Sequence, residues 1–591
     1  MADVVTAEIV REYLETVCAE MSTVIENTTM ATGFNSSHDY SQGVFHYDGR
    51  QVNLLARQFS EPVHIYAALT SVEALLEFFK HDLHEGDVIL AMDPYYGGSH
   101  LFDWTIMKPV FHKGKPIFFP SVRGHFGDVG GPVPGGQNHE GEEMWQEGFR
   151  VAPIKLYEKG EIRRDVWDLI MANNRLRTTA EHDLHSMVGA CRVGEQRIRE
   201  LFDRYGTETV LESVAFTMDY SERRLRAEIA RWPDGEYHGR SVLDHDCAGT
   251  FDINVDVTLT VHGDSVTVDF SGTHPQVRGI VNSPPGNTAS YVYMQFTALF
   301  PDIPVNSGLF RPVEIVMPRG TVINPDPPAN TATCTLHIGC DIGQAVMKAL
   351  EHVAPERAGC AIIDWLSLKA VGRKRHHSER FVDSDFYATA ISSGGAYGAD
   401  GWGAWSAPHS ALKLPPLELL EVVHPYIYLQ CEFGADSAAP GQWRGAPALL
   451  TRRLHQSPVD IRLRVQKARH PVVGYAGGRP AVGNYVVVNE GTNEEQVIHD
   501  TLWPELTMPS GSVLFVQKAG GGGWGDPLER DPALVLQDVR DALVSLEAAR
   551  RDYGVVVDPE RLTVDDPATA AVRQRLREAA TPAAALETAR R

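Results

Sequence analysis

Ile253-Asn254-Val255-Asp256-Val257-Thr258-Leu259-Thr260-Val261, then His262-Gly263-Asp264, then Ser265-Val266-Thr267-Val268-Asp269-Phe270, is the stretch on which the fold class turns. Apolar and polar residues alternate strictly on both sides of a Gly-containing turn. Alternation at period two puts all the apolar side chains on one face, the pattern of a half-buried antiparallel hairpin. Working outward on the C-terminal side, Pro and Gly punctuation continues to about residue 335, helical spacing covers Ala345 to Val353, and short β-like runs recur from about 420 to 518, including Val513 to Val516. Residues 236–520 are therefore expected to form a β-rich central unit with inserted helices.

On the N-terminal side the pattern is mixed. Ile9, Tyr13, Val17, Met21, Val24 and Ile25 recur at three- and four-residue steps, which predicts one long amphipathic helix from Thr6 to about Thr32, with Thr6 as N-cap. Phe45 to Val52 reads as two strands around Asp48-Gly49, Ile65 to Phe79 as a helix, and Val88 to Met92 as a short buried strand. Strand-like runs over Thr105 to Phe111 and Pro116 to Val122 follow, and helix formers dominate Asp165 to Arg231. Beyond a glycine cluster, Pro532 to Tyr553 and Pro567 to Arg591 are helical in composition and suited to capping or bridging. The expected class is α+β, with an N-terminal mixed unit (1–235) opened by the long helix, the central unit (236–520) and a helical C-terminal segment (521–591). No repeat of fixed period and no low-complexity linker interrupts it.

The 591 residues correspond to roughly four domain-sized units at about 150 residues each. With 43% hydrophobic and 22% charged residues the composition is globular. No segment approaches the ~18 apolar residues of a membrane span, and the first residues have neither a basic region nor a continuous apolar run, so a cytoplasmic protein is expected. The formal charge of −23, spread along the chain, argues against nucleic acid as a partner. Seven cysteines (Cys18, Cys191, Cys247, Cys334, Cys340, Cys360, Cys431) without a C-x-x-C pair read as small buried side chains in a reducing compartment.

Familiar catalytic signatures are missing: the sequence has no G-x-x-x-x-G-K-[ST], no H-E-x-x-H and no G-x-S-x-G. Any ATP would thus be held by another polypeptide. Gly520, Gly522 and Gly525 fit G-x-G-x-x-G, but Asp526-Pro527 interrupts the helix start a dinucleotide would need, which favours a structural turn with positive φ angles. The informative constellation is His38-Asp39-Tyr40-Ser41, Gly98-Ser99-His100-Leu101-Phe102-Asp103 and His125-Phe126-Gly127-Asp128. Imidazoles and carboxylates on Gly-flanked loops can converge on one cation. Two His nitrogens with one or two Asp oxygens suit Zn²⁺, Mn²⁺ or Fe²⁺ and are too nitrogen-rich for Ca²⁺ or Mg²⁺.

Against this stands the number of histidines, 24, most of which need no ligand role. Asp128 and His38 fit equally well as partners that orient ligating imidazoles. Asn282 to Asn287, and Asn306 to Pro312 with its isolated Arg311, read first as structural loops. Arg177 and Asp183 could pair near a helix end. Ser393 to Gly403 reads as a long turn or a cover over a site.

Several stretches together resemble the B-subunit family of ATP-dependent hydantoinases, which also takes in caprolactamase and the matching parts of 5-oxoprolinase and of acetone and acetophenone carboxylases. They are His38-Asp39-Tyr40-Ser41; Gly86-Asp87-Val88; Asp93-Pro94 through Gly97-Gly98-Ser99-His100 to Asp103; Gly124-His125 through Asp128 to Gly130-Gly131; Glu147-Gly148-Phe149-Arg150; Asp269-Phe270-Ser271-Gly272; Asn306-Ser307-Gly308; and Gly520 to Pro527. The resemblance implies a hydantoinase A-type ATPase partner in an (αβ)₂ heterotetramer, with ATP and Mg²⁺ in the partner, and metal-assisted ring opening of a small cyclic amide in this chain. It implies Asp39, His100, Asp103 and His125 as ligands of a divalent transition metal, Zn²⁺ ahead of Mn²⁺ or Fe²⁺, with Asp128 and His38 beside them as catalytic groups. A ketone carboxylase component is the first alternative, and the modest length leans toward the hydrolase. A non-catalytic scaffold for an ATPase is the second, disfavoured because convergent polar loops must be desolvated.

Overall fold

The structure, a computed structural model, describes residues 3–58, 61–80, 82–359, 366–374, 379–385, 387, 392–403, 410, 412–499 and 502–588, without the side chains of 502–505 and 580–588. Cys360 lies outside the described residues. Of the other cysteines five are buried and Cys431 is half-buried, all as free thiols.

The first helix spans Val4–Thr28. It starts earlier than expected because Asp3, not Thr6, is the cap: its carboxylate accepts the N–H groups of Val5 and Thr6. Its buried stripe runs through Ala7, Val10, Leu14, Val17, Cys18, Met21 and Ile25, whereas Ile9 is exposed, so the apolar face is rotated from the one predicted on Ile9 and Tyr13.

An antiparallel eight-stranded sheet follows. Its strands are β1 (Tyr40–Tyr47), β2 (Val52–Arg57), β3 (Val88–Ala91), β4 (Asp103–Met107), β5 (Val110–His112), β6 (Lys115–His125), β7 (Ile154–Glu158) and β8 (Glu161–Ile162). They run in the order β2-β1-β6-β4-β3-β7-β8, with β5 on β6. Both faces are buried. Val44, Leu90, Ile106 and Phe118 point into a core with the first helix and helix Arg177–Tyr205, while their neighbours Phe45, Ile89, Met107 and Phe119 point to the opposite core with helix Pro62–Phe79. This period-two partition between two cores is why these strands read as continuous apolar runs.

The hairpin forms as expected, with Leu259 opposite Val268 and Val261 opposite Val266. Its apolar face shares the core of helix Pro62–Phe79 and packs on helix Ile338–Leu350, which begins before the predicted Ala345. Farther along, the order Arg380–Ser384, Ser367–Arg373, Val459–Arg464, Leu502–Met508 makes one four-stranded sheet. Leu368, Ile461 and Leu463 from it meet Leu449, Val486 and Leu514 of a five-stranded sheet in a third core.

Glycines 520 to 525 are structural, but for a reason other than positive φ, which only Gly525 has. A Cβ at Gly521 would run into the Ser393 carbonyl, so the cluster exists to let backbones touch. Arg177 pairs with Asp168 at 3.2 Å and not with Asp183, whose carboxylate accepts the Met30 N–H at 2.7 Å. Arg311 pairs with Asp219 and Glu222. Pro532 to Tyr553 is two helices, Pro532–Arg540 and Leu546–Tyr553, and the last helix spans Asp566–Thr588. Among the described residues no helix is long and apolar enough to cross a membrane.

Candidate metal centre

Strand register assembles the site. Tyr40 of β1 lies opposite Gly124 of β6, and Asp103 of β4 lies opposite His125 of β6. The His125 N–H donates to the Asp39 carbonyl at 3.1 Å, so Asp39, Asp103 and His125 meet at one edge. His100 arrives by a turn closed by the Asp103 N–H on the His100 carbonyl at 3.2 Å. The first turn of helix Pro62–Phe79 adds His64 from the side.

Three imidazole nitrogens face a single carboxylate oxygen. Asp103 Oδ1 is 2.8 Å from His100 Nε2, 3.3 Å from His125 Nδ1 and 3.4 Å from His64 Nε2, and His64 Nε2 is 3.9 Å from Asp39 Oδ1. The other oxygen of Asp103 accepts the Ser99 hydroxyl. Asp103 and His100 are fully buried and His64 nearly so; His125 and Asp39 keep an edge open, at 15% and 14% side-chain exposure. Burial would raise the Asp103 pKa, but the imidazoles of His100 and His64 and hydrogen bonds from His100 and His125 outweigh it, so the carboxylate stays ionised far below the usual range. Burial lowers the His125 pKa against the pull of Asp39 and Asp103.

His100 shows that the donor set fits a cation. Its Nδ1 lies 2.9 Å from the Ala332 carbonyl, an acceptor only, so Nδ1 carries the hydrogen. Its Nε2 faces an anionic oxygen 2.8 Å away, so the two must share a positive charge. A proton on Nε2 supplies it in the hydrogen bond to Asp103, and a cation bound between them would supply it in the proton's place. A backbone carbonyl holding the far nitrogen is also how ligating histidines are commonly oriented. His100, Asp103 and His125 each offer a ligand atom, all within 4.8 Å of one another. Imidazole nitrogens with carboxylate oxygens suit Zn²⁺, Mn²⁺ or Fe²⁺.

The other two expected residues stand apart. The Asp128 carboxylate accepts the N–H groups of Gly130 (3.2 Å), Gly135 (3.0 Å) and Arg175 (2.8 Å) and the Arg175 guanidinium (3.1 Å), which leaves it committed to bracing its loop. His38 has a left-handed backbone (φ 59°) that turns its ring toward the first helix, with Nδ1 3.5 Å from Glu26. Neither touches the imidazole of His64, His100 or His125 among the described residues.

A cavity of about 50 Å³ opens on this cluster, bounded by Asp39, His64 and His125 on one side and by Gln137, Ser367 and Lys369 on the other. At roughly 10–15 Å³ for each water, it accommodates several. Lys369 Nζ donates to the Gly135 carbonyl at 2.6 Å and lies 4.3 Å from the Phe102 ring centroid, and burial pulls its pKa down to about 7. Sequence reasoning missed His64, Gln137 and Lys369. The available signal for His64 was a lone imidazole inside the apolar run Val63-His64-Ile65-Tyr66; Lys369 and Gln137 gave none.

Fold and site together define a protein of the Hydantoinase B/oxoprolinase family: the profile of that family matches residues 3–527, and the chain belongs to it. Among its relatives, the β subunit of caprolactamase from Pseudomonas jessenii is 35% identical over 94% of this chain and 96% of that protein. The B component of the putative D-/L-hydantoinase of Pseudomonas sp. (strain NS671) is 29% identical over 94% and 95%. The crystal structure of the ATP-dependent caprolactamase from Pseudomonas jessenii superposes with a TM-score of 0.89, covering 97% of this chain and 100% of that one at 32% identity.

Proposed function

We propose that this chain is the β-type subunit of a two-component, ATP-dependent cyclic-amide hydrolase, completing the ring opening of a hydantoin, lactam or oxoproline-like substrate that an ATPase partner activates. The observation that carries the reading is the convergence of His100, Asp103 and His125, flanked by Asp39 and His64, on a cavity in a chain 35% identical to a caprolactamase β subunit. The partner is a hydantoinase A-type ATPase, the assembly an (αβ)₂ heterotetramer in the cytoplasm, and the ion Zn²⁺, with Mn²⁺ or Fe²⁺ as the alternatives. The lack of any phosphate loop here fits ATP and Mg²⁺ being held by the partner.

An amide resists hydrolysis because resonance makes its nitrogen a poor leaving group, and phosphorylation of its oxygen removes that resonance. Asp39, His100, Asp103 and His125 would hold the divalent ion, which when bound lowers the pKa of a water and polarises an oxygen. His64 supplies a third imidazole beside Asp103 and limits the negative charge gathered there. Val63, Leu336, Leu368 and Leu412 line the cavity and exclude bulk water, which strengthens every charge interaction inside it. Asp128 sets the loop rather than moving protons.

The test is reconstitution with the A-type partner, ATP and a panel of five- to seven-membered lactams and hydantoins, following ring-opened product and ADP together. Equimolar product and ADP is the expected result. Incorporation of labelled bicarbonate into a ketone, with no ring opened, would replace the reading with a carboxylase; product formed equally well by an H100A/H125A variant of intact fold would remove the metal from it.

A further inference from the structure

The wall of the cavity opposite the candidate metal ligands is cationic, and nothing in the ring-opening chemistry described so far uses it. Lys369 is buried at 3% exposure and faces the cavity with one contact to a neutral carbonyl and one to an aromatic face. Behind it Arg464 is fully buried, and its Nη2 donates to the side chains of Gln137 and Ser367, both of which line the cavity. Arg464 Nε and Nη1 have no hydrogen-bond partner among the described residues.

Arg464 does not itself line the cavity, but a buried guanidinium held just behind the Gln137–Ser367 wall is costly unless an anion answers its charge. The acids close to this pair do not do so. Glu147 receives the backbone N–H groups of Gln137 and Asn138, and Asp128 is committed to its own loop. Arg462, also nearby, adds a further positive charge and donates to the Pro134 carbonyl. Burial and these like charges hold Lys369 and Arg464 below their ordinary pKa values, at about 7 and about 10.

We propose that Lys369 and Arg464, with Gln137 and Ser367, form a subsite for a phosphoryl dianion facing the candidate metal ligands across the same cavity. The inference rests on the reading of the chain as the acceptor of a phosphorylated cyclic amide, and deepens it by naming where that phosphoryl group sits. A phosphoryl group is tetrahedral and acceptor-rich, so it can take the remaining N–H bonds of Lys369 and the side-chain donors of Gln137 and Ser367, while Arg464 behind them adds positive charge without touching it. Two sources share the chemistry: the ester on the activated substrate and the orthophosphate released after ring opening.

The experiment is isothermal titration calorimetry of the full chain with orthophosphate and with methyl phosphate, metal-loaded and chelated. Both anions should bind, chelated or not, and tighter methyl phosphate would assign the site to the ester, tighter orthophosphate to the released product. Lys369→Met should weaken affinity at least tenfold with metal content unchanged, Lys369→Arg should restore most of it, and Arg464→Met should act like Lys369→Met if it folds. No binding by the wild type, unchanged affinity in Lys369→Met, or binding that vanishes on chelation would overturn the subsite. Neither substrate nor ATP is present, so the two readings fail separately. Phosphate binding without cyclic-amide turnover leaves the subsite and removes the hydrolase; turnover without phosphate binding does the reverse.

Discussion

Replacing Asp128 by Asn separates a brace from a proton carrier. Its Oδ1 accepts Gly135 N–H and the Arg175 guanidinium, and its Oδ2 accepts Gly130 N–H and Arg175 N–H. Asparagine keeps one oxygen and turns the other position into a donor that faces two donors. The amide will settle with its oxygen toward Gly130 and Arg175 N–H, because the guanidinium lost on the other side is a third exposed and contributes little. The net loss is one charge-assisted bond to a buried N–H plus the repulsion of the replacing NH₂, about 2–3 kcal/mol. The assay is denaturant unfolding of the first transition, since a chain this long need not unfold in one step, alongside the pH profile of kcat in the reconstituted enzyme. We expect a destabilised protein with metal retained, kcat reduced less than tenfold and both limbs of the pH profile in place. A general acid or base contributes about 10²–10⁴ in rate. Wild-type stability with a hundredfold loss of kcat and a missing limb would therefore refute the bracing role and return Asp128 to the chemistry.

Asp103→Asn removes the one anion that three imidazoles share, so metal analysis should find loss of stoichiometric metal in a folded chain; retained metal would show that Asp103 is not a ligand. His64→Ala should keep the ion but weaken its affinity roughly 10–100-fold, the usual effect of losing a group that supports ligands, as read by competition with a chelating dye. Asp183, buried beside the end of the first helix, has its pKa raised by burial to about 6 from the ordinary 3.8. Its protonated form therefore contributes stability that is complete below pH ~4 and lost as pH rises to ~6, leaving a penalty of about 3 kcal/mol above that. Asp183→Asn should flatten the pH dependence over that window and raise the melting temperature at pH 8; an unchanged pH dependence would discard the assignment.

What could be read in the sequence was what strand and turn geometry fix locally. Alternation gave the hairpin, Gly-flanked His/Asp stretches pointed to the three segments holding Asp39, His100, Asp103 and His125, and the family resemblance singled out those four; strand register then brings Asp39, Asp103 and His125 to one sheet edge. Asp128 is three residues from His125 and looks equivalent in one dimension, yet its loop turns it toward Gly135 and Arg175. His38 adjoins Asp39, but a left-handed backbone sends the two side chains apart. His64 was hidden because an imidazole in an apolar helical run is most often a core residue. Lys369 was beyond reach for a stronger reason: its partner Gly135 is 234 residues away, on a strand-to-loop contact between different sheets that no local pattern encodes.

The two walls of the cavity are tied together by one ring. Phe102 stacks on His125 with ring centroids 5.2 Å apart and planes at 14°, and the Lys369 ammonium lies 4.3 Å from its centroid. Its own carbonyl accepts the Phe126 N–H at 2.9 Å, so the residue cannot slide along the strand edge. Gly136, at φ 60°, packs so closely that a Cβ there would collide with the Phe102 ring. A rigid aromatic held on both sides has little rotamer freedom, and it favours the cation on its face. The spacing between imidazole and ammonium is therefore set by packing and not by any direct bond between them. On the function proposed above, that suits a site whose two charged ends grip one small substrate without neutralising each other: joined directly, a carboxylate cluster and a lysine would form an ion pair and close the cavity. Separated by a ring, each keeps its valence for what enters.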